Sequence, residues 1–134
     1  MSRSLIQVAN QSTQAVAVNS IIALGSTQRR YGCNCRLSGN GIEVDGEGYY
    51  TIDADVSIAP TAAGNVTVAL YNNGAQVFGA VAYGSVTTAG NPTSLSINAT
   101  VRQGCCCDSA DNLTLVLLEG AGNVQNVSMR VVKE

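Results

Sequence analysis

Histidine and tryptophan are absent from this chain, and lysine occurs once, at Lys133. Each absence removes a class of function. Without histidine there is no Ser-His or Cys-His pair, and the commonest general base is missing. Asp53 and Asp55 are the nearest approach to a carboxylate pair, but they fall on a polar, solvated strand face. No enzymatic activity is therefore expected, and no cofactor. Charged residues are only 12% of the chain and the formal net charge is −2. Arg29, Arg30 and Arg36 are the one local basic group, too small for the basic face that nucleic-acid binding needs. No apolar run approaches the ~20 residues of a membrane-spanning helix. The opening MSRSLIQVANQSTQ lacks the apolar stretch of a signal peptide, which predicts synthesis in a cytoplasm without export by that route.

Aromatic residues are scarce at 4%, although hydrophobic residues reach 46%. The core must therefore be built from Val, Ile, Leu and Ala. Residues 1–134 read as a single domain, long enough to bury roughly two thirds of its unfolded surface. With so few charges, part of the outer surface is expected to be covered by neighbouring subunits.

What the chain does have is alternation. In Gly48 to Pro60, Tyr50, Ile52, Ala54, Val56 and Ile58 share one parity, while Thr51, Asp53, Asp55 and Ser57 share the other. Strand side chains alternate, so this is a half-buried strand, and Pro60 ends it. Val66, Val68 and Leu70 begin a second strand that the short turn Thr61 to Gly64 would fold back on the first as a hairpin. Asn72-Asn73-Gly74 turns again. Further strands are expected at Leu5 to Ala9, 15–24, Ile42 to Val44, Ala75 to Phe78, Val81 to Thr88, Leu95 to Val101, Leu113 to Leu118 and Val127 to Val131. Gly25 to Gly32 reads as a polar crossing. No segment has helical periodicity. The pattern predicts an all-β, antiparallel jelly-roll sandwich of eight to ten strands.

The order of pieces resembles the trimeric jelly roll shared by tumour necrosis factor and the complement globular heads. The resemblance runs from about residue 5 to residue 133. It is carried by Gly41-Ile42-Glu43-Val44, by the Gly-x-Tyr-x-hydrophobic signature Gly48-Tyr49-Tyr50-Thr51-Ile52, by Val68 to Gly74, by Leu95-Ser96-Ile97 and by Leu113 to Leu118. The family often carries phenylalanine where Ile52 stands. This lean, Gly-, Asn- and Ala-rich version is similar to small structural proteins of bacteriophages, and to the tip domain of bacillus exosporium filaments. The resemblance implies a homotrimer on a particle surface: a non-enzymatic virion structural protein that decorates or cements a capsid or forms a head fibre. Its partner would be the major capsid protein or another virion component. A receptor- or glycan-binding tip of a fibre or of a cell or spore surface is the alternative.

Two groups of residues stand out as candidate sites. Leu113 to Leu118 is apolar on both parities, so both faces should be covered. Leu70, Leu115 and Leu117 are the expected core residues. Tyr71, Val116 and Leu118, on the opposite parity, are the expected trimer contact. The second group is the five cysteines, Cys33 and Cys35 in one segment and Cys105, Cys106 and Cys107 in another. Disulfides between the segments, a thiolate metal site and free thiols all suit that grouping, and an odd number leaves at least one unpaired within the chain. Asp45, Glu47, Asp108 and Asp111 offer loop oxygens of the kind calcium takes, but their spacing matches no known calcium loop.

Overall fold

The computed structural model describes residues 4–32, 34–103 and 111–133. Twelve strands account for almost all of the regular structure, and the described residues contain no helix. They are β1 (Leu5–Asn10), β2 (Gln14–Val16), β3 (Ser20–Ile21), β4 (Ser26–Tyr31), β5 (Cys35–Ser38), β6 (Gly41–Val44), β7 (Gly48–Pro60), β8 (Gly64–Asn72), β9 (Ala75–Val86), β10 (Thr93–Gln103), β11 (Asp111–Glu119) and β12 (Gly122–Lys133). They form two antiparallel sheets packed face to face. The first runs β10-β7-β12-β1-β4, with β2 continuing the line of β1 beside β12. The second runs β5-β6-β11-β8-β9, with β3 beside β11. Sequence neighbours often lie in opposite sheets, which gives a jelly-roll sandwich.

Alternation decides which side chains fill the space between the sheets. On β7, Tyr50, Ile52, Ala54, Val56 and Ile58 are all buried, as the parity predicted. Leu70, Leu113, Leu115 and Leu117 meet them from the second sheet, each with no exposed surface. Tyr50 is the one aromatic ring in this core. Its hydroxyl donates to the carbonyls of Asp45 and Gly46, at 3.0 and 2.8 Å. That satisfies a polar tip which would otherwise be costly to bury.

Three expectations are corrected. The first concerns β7 and β8, which do not pair as a hairpin: β7 belongs to the first sheet and β8 to the second. Residues 61–63 carry the chain across the sandwich. Period two identifies a strand and its buried face but carries no information about the hydrogen-bonding partner. The second concerns 15–24, which is not one strand. Asn19, at φ 66°, breaks it into β2 and β3, which serve different sheets. The third concerns Gly25 to Gly32, the supposed crossing, which contains β4. Its six residues are all exposed because it is an edge strand whose only partner is β1. Without an alternating apolar face, a sequence reading has nothing to detect there.

Candidate functional site

The strand registers allow each outer face to be read row by row. On the second sheet, Val116 of β11 stands opposite Ile21 of β3 on one side and Ala69 of β8 on the other, and Ala69 stands opposite Val81 of β9. This is an unbroken apolar row across four strands. Thr67 and Tyr83 form part of the next row, and Thr114, Tyr71 and Gln76 form the row on the other side. Of the residues expected in a subunit contact, Tyr71 and Val116 are therefore diagonal neighbours on adjacent strands. Leu118 follows two residues along β11.

These residues differ in how much surface remains to offer. Neighbouring side chains already close over Val116, which is 8% exposed, while Tyr71 and Leu118 are half-buried. The exposed apolar surface belongs instead to Ile21 at 50%, Tyr83 at 77% and Phe78 at 102%. Sequence reasoning missed all three. Ile21 sits in a two-residue strand, and Tyr83 lies in a strand whose partner was unassigned. Phe78 carried one usable signal, a lone phenylalanine directly before a glycine in an edge strand.

The first sheet presents a different outer face. Gln7, Arg130, Asp53 and Asn98 form one row across β1, β12, β7 and β10, and Ser128, Asp55 and Ser96 extend the next. Arg130 pairs with Asp53 at 2.9 Å, and the Ser96 hydroxyl donates to Asp55 at 2.6 Å. These side chains line a polar trough of about 370 Å³. At one end the face becomes apolar, where Tyr31, Leu5 and Val132 lie side by side on β4, β1 and β12.

Cys35 opens β5, points into the core and is 1% exposed, with a free thiol. Burial pushes its pKa up to about 11, against the opposing pull of the Arg30 and Lys133 charges. Arg30 also donates through Nε to the Cys35 carbonyl at 2.8 Å. Cys33, Cys105, Cys106 and Cys107 lie outside the described residues, as does Asp108. The strands that flank them are described. Cys35 stands opposite Val44, and Val44 stands opposite Asp111, so β5 and β11 begin at the same end of the sandwich.

The Cys35 thiol makes a pH prediction. Its folded pKa lies above the ordinary value of 9.0. In the unfolded chain the thiol ionises near pH 9, whereas in the fold it keeps its proton to about pH 11. Its contribution is therefore complete below pH 9 and is lost as pH rises through that window, by about 2 kcal/mol. Urea titrations from pH 8 to 11 should show the decline, and Cys35→Ala should flatten it. Cys35 should also resist alkylation until the protein unfolds.

The sequence matches no known protein family and no curated protein. The fold does match solved structures. Murine APRIL superposes with a TM-score of 0.75 at 12% identity, covering 98% of this chain and 99% of that one. The globular domain of zebrafish complement 1qA gives 0.70 at 8% identity, over 96% and 94% of the two chains. PRD1 vertex protein P5 gives 0.64 at 13% identity, over 97% and 96%. The chain therefore has the jelly roll of tumour necrosis factor and the complement heads, over essentially its whole length.

Proposed function

We propose that this chain is a non-enzymatic structural protein of a bacteriophage virion, a homotrimer that decorates or cements the capsid or forms a head fibre. One observation carries the reading: the whole fold superposes on PRD1 vertex protein P5 while the second sheet turns an apolar row to the outside. Antiparallel sheets normally keep a polar face toward water, and the end of this row at Ile21, 50% exposed, departs from that pattern. The band through Tyr71, Val116 and Leu118 is the proposed contact between protomers. The capsid protein, or another virion component, is the proposed partner, with no role for nucleic acid or membrane. The trough on the first sheet supports a non-catalytic reading, since Asp53 and Asp55 are already engaged by Arg130 and Ser96.

The alternative, a receptor- or glycan-binding tip, draws on that same trough. Its amide, hydroxyl and carboxylate groups suit sugar hydroxyls, and the side chains of Gln7, Asn98 and Ser128 line it. Two assays separate the readings. A decoration protein co-purifies with particles and binds empty capsids at fixed stoichiometry. A tip binds cells or a glycan array as an isolated trimer and ignores capsids. For the cysteines, the proposal is a covalent bridge between the two groups through Cys33, given the free thiol at Cys35. Mass mapping without reductant tests it, and five freely alkylated thiols after unfolding would exclude it.

A further inference from the structure

The dipeptide Asn-Gly occurs twice, at Asn40-Gly41 and Asn73-Gly74, and both copies lie at two-residue hairpin turns. This pair carries a latent reaction. The backbone nitrogen of the glycine can attack the asparagine Cγ, because glycine has no side chain to hinder the approach. The glycine N–H proton goes to solvent base, and the new C–N bond closes a succinimide ring. The Cγ–Nδ2 bond breaks, and its nitrogen takes up a proton and leaves as ammonia. Water then opens the ring at either carbonyl. The product is aspartate, or isoaspartate, whose main chain runs through the side-chain carbon and is longer by a methylene. Water is the only co-reactant.

The two copies sit one place apart in their turns. A β-turn closes with a bond from the N–H of its fourth residue to the carbonyl of its first. In the β5–β6 turn Ser38 is first and Gly41 fourth, paired across the ladder. The nitrogen that would attack Asn40 is therefore the closing donor. Gly41 is also buried, and a Cβ there would collide with Asn112 Oδ1. In the β8–β9 turn Asn72 is first and Ala75 fourth, so Ala75 supplies the closing N–H. Gly74 is third and exposed, and a Cβ on it would meet nothing within 4 Å. Asn73 and Gly74 take φ of 53° and 85°, the left-handed pair of a type I′ turn. The Gly74 nitrogen is thus left out of the turn's own bonding and open to solvent base.

Asn73 is clamped to β11. Its backbone N–H donates to the Asn112 carbonyl, and the Asn112 N–H donates to Asn73 Oδ1, each at 2.9 Å. The clamp fastens the tip of the β8–β9 hairpin to the start of β11. It restrains Cγ, so the folded chain reacts more slowly than an unfolded one, but it leaves the attacking nitrogen untouched. Aspartate can keep both bonds, since a carboxylate oxygen accepts as the amide oxygen did. Isoaspartate cannot, because its longer main chain no longer fits the two-residue turn, and the clamp opens. Either product adds a negative charge to a chain whose formal net charge is −2.

We propose that Asn73-Gly74 is a site of succinimide formation and backbone isomerisation in the folded protein, while Asn40-Gly41 is silenced by its place in the turn. Incubation of the intact protein in mildly alkaline buffer made with heavy-oxygen water, followed by peptide mapping by mass, tests this. Asn73 should convert at least ~5-fold faster than Asn40, the factor that one hydrogen bond at the attacking nitrogen is worth. Its product should carry solvent oxygen and resolve into aspartate and isoaspartate forms. In urea both pairs should convert faster than in the fold, and at similar rates. The double variant Gly39→Asn/Asn40→Gly moves the dipeptide one place back, to the positions that Asn73 and Gly74 hold in their own turn. Gly39 has φ +61°, close to that of Asn73, so the turn should form, and an unchanged melting curve checks this. That variant should now convert at the β5–β6 turn as readily as at Asn73. Equal rates at Asn73 and Asn40 in the folded protein would overturn the proposal, and so would a folded protein in which neither reacts. A double variant that folds and stays inert at the β5–β6 turn would overturn it as well, because position in the turn would then not control the reaction.

Discussion

Val116→Asp should be the most damaging substitution on the outer face of the second sheet, and Ile21→Asp, directly across from it, should be almost harmless to a single chain. The two residues are paired in register, yet Val116 is 8% exposed and Ile21 is 50% exposed. A carboxylate at Val116 would lie among Ile21, Ala69 and their neighbours with no cation in the row. Burying an unpaired charge costs about 3 kcal/mol or more, so the variant should unfold at far lower denaturant whether or not protomers associate. At Ile21 the carboxylate reaches water, and the cost to the lone chain should stay within about 0.5 kcal/mol. Ile21→Asp is therefore the variant that reports on assembly. Light scattering and chemical denaturation of both, over a range of concentrations, separate the two effects. A trimer that survives Ile21→Asp would show that the band is not the subunit contact. A Val116→Asp protein as stable as the parent would contradict the burial of that row.

The contrast shows how far sequence alone could reach. The apolar double parity of Leu113 to Leu118 predicted that both faces of β11 are covered, and Leu115, Val116 and Leu117 are buried. It did not show that much of the cover on the Val116 side comes from the same chain. Ile21 supplies part of it from a two-residue strand too short to carry a period. Burial inside the sandwich was legible for the same reason that partner choice was not. A strand's inward parity is written in its own residues, as in Tyr50 to Ile58. Pairing depends on strands far away in the chain, which is why the β7–β8 hairpin was expected and β7 instead lies between β10 and β12. The apolar end of the first sheet's outer face, at Leu5, Tyr31 and Val132, was invisible in the same way. β4 has no apolar alternation of its own, and its meaning comes from standing beside β1.

The two faces of the sandwich differ in a way that bears on assembly. The first sheet's outer face satisfies its charges internally, with Arg130 on Asp53 and Ser96 on Asp55. The polar part of that face can stay in water, while its end at Tyr31, Leu5 and Val132 is apolar. The second sheet offers a row with no hydrogen-bonding groups, flanked by Tyr83 and by the bulge that carries Phe78. Low overall charge leaves few residues to oppose association there.

Leu115→Ala should lower stability by about 2–5 kcal/mol, whereas Leu118→Ala, three residues along the same strand, should cost a single chain less than about 1 kcal/mol. Leu115 has no exposed surface and stands opposite Leu70, itself fully buried, in the middle of the second sheet. Its side chain points at the first sheet, and removing it leaves a cavity between two sheets whose hydrogen-bonded backbones hold them apart. The loss therefore combines transfer and cavity terms. Leu118 has the opposite parity and is half-buried on the outer face beyond Val116, where solvent can refill the space. For a domain of this size, the Leu115 change corresponds to a fall in Tm on the order of 10 °C. Association adds a second signature. If Leu118 lies in a subunit contact, its substitution lowers Tm in proportion to what the trimer loses, and that deficit grows as the parent's Tm rises with protein concentration. The Leu115 deficit should change little with concentration. Scanning calorimetry of both variants across a hundredfold range of concentration reads the two behaviours directly. Equal, concentration-independent losses at the two positions would mean that β11 faces a core on both sides within one chain and lends nothing to a neighbour.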